Sequence, residues 1–159
     1  MKNPVPVIVV AQLFGTSLWF SANSAADDLI RTWGIVPADI GTLTNAVQLG
    51  FILGTLTFAI SGLADRYPAS RIFAVCAILG AIGNAAFALF AAGMAVGIPL
   101  RFAVGFFFFF FYPLGMKLVV RWVPERAGAA LAQLVGMLTL GTALPHGIRL
   151  AGAGWSWQA

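Results

Sequence analysis

Residues 94–116 read MAVGIPLRFAVGFFFFFFYPLGM: one charge, Arg101, in a run of apolar and small residues that ends in six consecutive phenylalanines, Phe106–Phe111, before Tyr112. A helix that crosses a bilayer needs roughly 20 mostly apolar residues, so this stretch reads as a membrane span. At ~1.5 Å per residue, Arg101 lies about 10 Å in from the helix start. An arginine at that depth costs several kcal/mol unless it meets a partner or water. Arg101, Gly105, Phe108 and Tyr112 recur at helical spacing on one face, which is expected to point inward; the alternative is that Arg101 snorkels to the surface. The phenylalanines point all round the helix and are expected to meet lipid and neighbouring helices, with no site of their own.

The rest of the 159-residue chain has the same character, with 60% hydrophobic and 9% charged residues. A soluble domain carries about 25% charged residues, so a soluble globule is excluded. Disorder is excluded as well, because disordered chains are poor in apolar residues. The net charge of +4 comes from nine basic residues scattered singly, which gives no patch for nucleic acid. One cysteine, Cys76, and one histidine, His146, provide neither a disulfide nor a metal-ligand set, and no cofactor is expected. Cys76 reads as a small buried hydrophobe, and His146, beside Pro145, as a polar interface residue.

Charges punctuate the chain, and the intervals between them count helices. The spacing predicts an all-α, polytopic membrane helix bundle with helices at about 4–26, 41–64, 72–91, 94–116 and 127–147. A sixth is expected to begin near Trp155 and to be cut off. The first run contains Gln12 and Asn23 and no cleavage site that ends it, so it is expected to be a retained helix and not a signal peptide. With the N-terminus in the cytoplasm, Lys2, Arg66, Arg71, Lys117, Arg121 and Arg126 fall inside and Arg31 and Arg149 outside. That distribution satisfies the positive-inside rule and predicts an integral protein of the plasma (cytoplasmic) membrane.

Within lipid, small and polar residues mark the faces that meet protein or a polar cavity. Gln12, Thr16, Trp19 and Asn23 form one face of the first helix, either lining a cavity or bonding to other helices. Asn45 and Gln48 in the second helix are further cavity candidates, whereas Gly50 and Gly54 suit close helix packing. The run Ala129, Ala132, Gly136, Thr139 and Gly141 in the fifth helix is also expected to pack.

Between the second and third helices the chain reads Ser61-Gly62-Leu63-Ala64-Asp65-Arg66-Tyr67-Pro68-Ala69-Ser70-Arg71. This segment resembles motif A of the major facilitator superfamily, with Asp65, Arg66 and Tyr67 matching, Ser61 and Pro68 replacing glycines, and Arg71 remaining of the trailing bases. Arg101-Phe102-Ala103-Val104-Gly105 resembles motif B, the Arg-xxx-Gly signature of that family's fourth helix. Gly154-Trp155-Ser156-Trp157 is similar to its usual opening of the sixth helix.

The resemblance implies that residues 1–159 are an N-terminal transmembrane domain, an incomplete six-helix half of a major-facilitator-type fold. It implies a secondary active transporter that moves a small solute by alternating access, with or without a coupling ion, together with a missing C-terminal half. Asp65, Arg66 and Arg71 would then gate the cytoplasmic side. Arg101 could bind an anionic solute, assist proton movement or brace the helices. No carboxylate lies in any expected span, and no cluster of catalytic groups or nucleotide-binding loop is present, so an enzyme or an ATP-driven pump is not expected. The competing reading is a small non-transporting membrane bundle that scaffolds or dimerises with a partner.

Overall fold

The computed structural model describes residues 4–109 and 111–152, without the side chains of residues 64, 65, 111 and 112. The expected features at Lys2, Phe110 and Trp155 lie outside the described residues. The described chain is helical, with no strand. In order, the helices are α1 (Val5–Ser24), α2 (Ala26–Trp33), α3 (Pro37–Ser61), α4 (Leu63–Arg66), α5 (Ala69–Phe90), α6 (Met94–Phe108), α7 (Phe111–Trp122) and α8 (Ala127–Ala151), with a 3-10 turn at Pro124–Arg126 before α8. Five segments are long and apolar enough to cross a membrane: α1, α3, α5, α6 with α7, and the last turn with α8.

Local chemistry explains the junctions. Gly62 ends α3 with a left-handed φ of 63°, a conformation that glycine adopts without steric cost, and the single turn of α4 follows. Pro37 opens α3, where the Asp39 carboxylate accepts the Val36 N–H at 3.0 Å. The short α2 carries Asp27 and Asp28 in its first turn and Arg31 in its last, in keeping with the helix dipole. Lys117 and Arg121 ride on α7 itself, which continues to Trp122. Charges that lie on a helix and charges in a loop look alike in sequence.

Packing follows the glycines. The broadest contact joins α3 to α6, followed by α1 to α8 and α5 to α6. A Cβ on Gly105 would stand 2.0 Å from the Val47 carbonyl oxygen, and one on Gly50 2.1 Å from that of Phe102, so the α3 and α6 backbones touch directly. In α8 only Gly141 of the small-residue run is buried, with its missing Cβ 2.6 Å from Leu13 O of α1. Ala129, Ala132, Gly136 and Thr139 are exposed because α1 and α7 cover a single side of α8.

Apolar clusters fill both ends of the bundle. Val5, Ile8, Val9, Val119, Ala130 and Leu134 pack at one end, and Ala22, Leu29, Leu43, Phe87 and Ala91 at the other. Cys76, Phe109 and Leu114 form a third cluster between α5 and the fourth span. Phe108 and Phe109 are buried, with Phe108 edge-on to Trp19 at 5.4 Å and Phe109 edge-on to Phe58 at 5.4 Å.

Candidate functional site: a buried arginine and two polar seams

Arg101 is 0% exposed. It sits in the second turn of α6, where Gly105 lets α6 lie against α3 and Gly83 lets α5 approach Val104. Its guanidinium crosses to the last two turns of α1. Nη1 donates to the Leu18 carbonyl at 3.2 Å, to Ser21 Oγ at 3.3 Å and to Asn84 Oδ1 at 3.4 Å, and Nη2 donates to the Trp19 carbonyl. Ser21 Oγ in turn donates to Asn84 Oδ1 at 2.7 Å. The Phe87 ring lies 5.4 Å from the guanidinium carbon, within cation–π range. Arg101 makes no ion pair among the described residues; carbonyl dipoles near the negative end of α1 supply the counter-charge. The result is a three-helix junction of α1, α5 and α6.

Of the face expected to point inward, Arg101, Gly105 and Phe108 are buried, and the Tyr112 side chain lies outside the described residues. The stripe on α1 divides between two seams. Trp19 stacks edge-on against Phe51 and Phe108, and Asn23 Oδ1 accepts from Thr44 Oγ1 at 3.4 Å, which ties that half to α3 and α6. Gln12 and Thr16 are buried toward α7 and α8. Thr16 Oγ1 donates back to the Gln12 carbonyl at 2.9 Å. Neither Oε1 nor Nε2 of Gln12 has a hydrogen-bond partner among the described residues. Asn45 and Gln48 are exposed on α3.

Arg66 and Arg71 are exposed at the α4–α5 corner, where the Arg71 N–H donates to Pro68 O at 2.9 Å. The Asp65 side chain lies outside the described residues.

Three polar residues at these junctions were not singled out in the sequence. Ser21 and Asn84 complete the Arg101 junction, and no spacing signal links residues so far apart. Asp28, one of two adjacent acids after the first span, is buried and ion-paired with both Arg31 and Arg149. Arg149 stands in the last turn of α8, so the pair ties that end to α2.

Known proteins place this arrangement in context. Residues 8–159 match the family model for the Major Facilitator Superfamily. Over 98 residues the chain is 29% identical to a protein named niacin transporter NiaP, from Acinetobacter baylyi (strain ATCC 33305 / BD413 / ADP1). That match covers 62% of this chain and 22% of the relative, so the chain aligns with under a quarter of that protein's length. No solved structure gives a significant match. With a family match that runs from the first helix to the end of the sequence over five apolar spans, the chain is an integral membrane protein that belongs to the Major Facilitator Superfamily.

Proposed function

We propose that these helices are the N-terminal part of a secondary transporter that carries a small organic solute across the plasma membrane by alternating access. Family membership supports transport, and the observation that carries the mechanism is the Arg101 junction. A buried charge whose Nη1 and Nη2 donate to α1 carbonyls, Ser21 and Asn84 fastens α1, α5 and α6 into one body. Rigid-body rocking of a half requires such a body. A C-terminal half supplies the opposing wall, and Asn45 and Gln48 are among the exposed polar groups of α3 that can face the path between them. The solute moves alone or with a coupling ion.

The end of the bundle that carries Arg66, Arg71, Lys117, Arg121 and Arg126 is the cytoplasmic one in this reading, and Arg31 and Arg149 mark the outer end. Asp65, Arg66 and Arg71 then form a cytoplasmic gate. Niacin, a pyridine carboxylate, is the first solute to test, on the strength of the relative's name.

The test is uptake by proteoliposomes that contain the full-length protein, with labelled niacin, its amide and a panel of small monocarboxylates. Saturable accumulation of at least one solute above protein-free vesicles is the expected result. No accumulation of any would overturn the reading in favour of a non-transporting bundle.

A further inference from the structure

Residues 117–126 hold Lys117, Arg121 and Arg126, three of the chain's nine basic residues, with Glu125 the one acid among them. Lys117 and Arg121 lie one turn apart on α7 and so share a face. That face points away from the bundle. Val119, on the opposite side of the helix, is fully buried in a cluster with Val5 and Ile8 of α1, whereas Lys117, Val120 and Arg121 are exposed. None of the three basic side chains makes an ion pair or a hydrogen bond among the described residues. Across the third apolar cluster the first turn of α5 meets α7, and Arg71 extends from that turn, also exposed and without an ion pair.

Depth decides what meets these cations. The turn at Pro124–Arg126 joins two membrane spans and therefore lies at the membrane surface. Lys117 stands about 7 Å before the end of α7 at Trp122, which matches the roughly 5–8 Å thickness of one headgroup layer. The two cations of α7 are thus spread over the depth at which lipid phosphates lie. Trp122 is 39% exposed and Val120 38% exposed beside them, and an indole at the headgroup level is a membrane-interface anchor. Membrane orientation requires a basic excess on this side, but not an unpaired lysine and arginine on one outward face with an indole and a valine next to them.

We infer that the end of α7 is a binding site for an anionic phospholipid, in which Lys117 and Arg121 hold the headgroup phosphate, Arg126 adds to the local field, and Val120 and Trp122 lie along the start of the acyl chains. Charge complementarity selects this occupant: a zwitterionic headgroup would leave the positive charge of the stretch uncompensated, and basic pockets on the outside of membrane helices recruit anionic lipids in this way.

The test is the thermal unfolding midpoint of the full-length protein in a neutral detergent, titrated with dioleoylphosphatidylglycerol and, as reference, dioleoylphosphatidylcholine. The anionic lipid is expected to raise the midpoint in a saturable way and the zwitterionic one is not; equal responses would overturn the inference. A cation near an anionic lipid surface contributes about fivefold in binding, so Lys117→Gln with Arg121→Gln is expected to weaken the apparent dissociation constant about 25-fold while leaving the midpoint without lipid unchanged. A constant within twofold of wild type would remove the pair from the site, and a midpoint lowered before lipid is added would assign the pair to a protein contact instead. Lys117→Arg with Arg121→Lys preserves the charge and should bind as wild type does; a loss as large as that of the glutamine variant would contradict recognition by charge. Glycerol 1-phosphate, the headgroup phosphate without acyl chains, is expected to give no shift at the same concentrations, and a shift equal to that of the lipid would make the site one for a soluble anion.

Discussion

Arg101 of α6 donates a hydrogen bond to the main-chain carbonyl of Trp19 in α1. The residue that the sequence marks as a lone intramembrane charge is thus held by another helix's backbone, with Ser21 and Asn84 closing the ring around it. Carbonyl acceptors do not change with protonation state as a carboxylate would. This arrangement suits a permanent brace better than a group that exchanges protons or solute at each cycle.

The α3–α6 seam leaves no room for a methyl group. Gly105→Ala would put a Cβ 2.0 Å from the Val47 carbonyl oxygen, which is backbone and cannot swing aside. Gly136→Ala meets nothing within 4 Å and gains up to about 1 kcal/mol of helix propensity. Thermal unfolding of the purified full-length protein should show a large loss of midpoint or of folded yield for Gly105→Ala and an unchanged or raised midpoint for Gly136→Ala. Equal behaviour of the two would refute direct backbone contact.

The clasp between Asp28 and Arg149 should couple α2 to α8. The Asp28 side chain is 7% exposed and that of Arg149 32%, whereas Arg31 is 78% exposed. A double-mutant cycle with Asp28→Ala and Arg149→Ala is therefore expected to give a coupling of about 1–3 kcal/mol, below the ~3–5 kcal/mol of fully buried pairs because Arg149 is partly solvated. The cycle with Arg31→Ala should give a smaller value, as surface pairs do. A larger coupling to Arg31 than to Arg149 would contradict the clasp.

If Asp65 latches the cytoplasmic side, Asp65→Asn in the full-length protein should increase labelling of a cysteine reporter in the central path from the cytoplasmic face and slow uptake severalfold. The chemical ground is that a neutral amide is a weaker acceptor than a carboxylate for arginine and helix N-termini. Uptake and accessibility both at wild-type level would remove Asp65 from the gate.

Much of the membrane architecture was legible because charge is expensive in lipid: the intervals between charged residues mark five spans, and the depth of Arg101 follows from its place in the fourth. What surrounds Arg101 was not legible. Ser21 and Asn84 are ordinary residues in membrane helices, and only the packing of α1, α5 and α6 brings them to one guanidinium. The burial of Asp28 was not legible either, because its partner Arg149 lies far along the chain. The Gln12–Asn23 stripe was visible as one face, but helical periodicity cannot tell that α3 and α6 take its C-terminal half while α7 and α8 enclose its N-terminal half.

The central claim is that Arg101 braces a rigid half of a transporter, and the unfolding midpoint of Arg101→Met, read beside its uptake rate, tests it most directly. Hydrogen bonds from a charged donor contribute about 1.5–3 kcal/mol each. The brace therefore predicts a midpoint lowered by several degrees together with a tenfold or greater loss of uptake, and only partial recovery of both in Arg101→Lys, whose compact ammonium lacks the two-pronged reach. Lost uptake with an unchanged or raised midpoint would contradict the brace and assign Arg101 to the solute or to a proton instead.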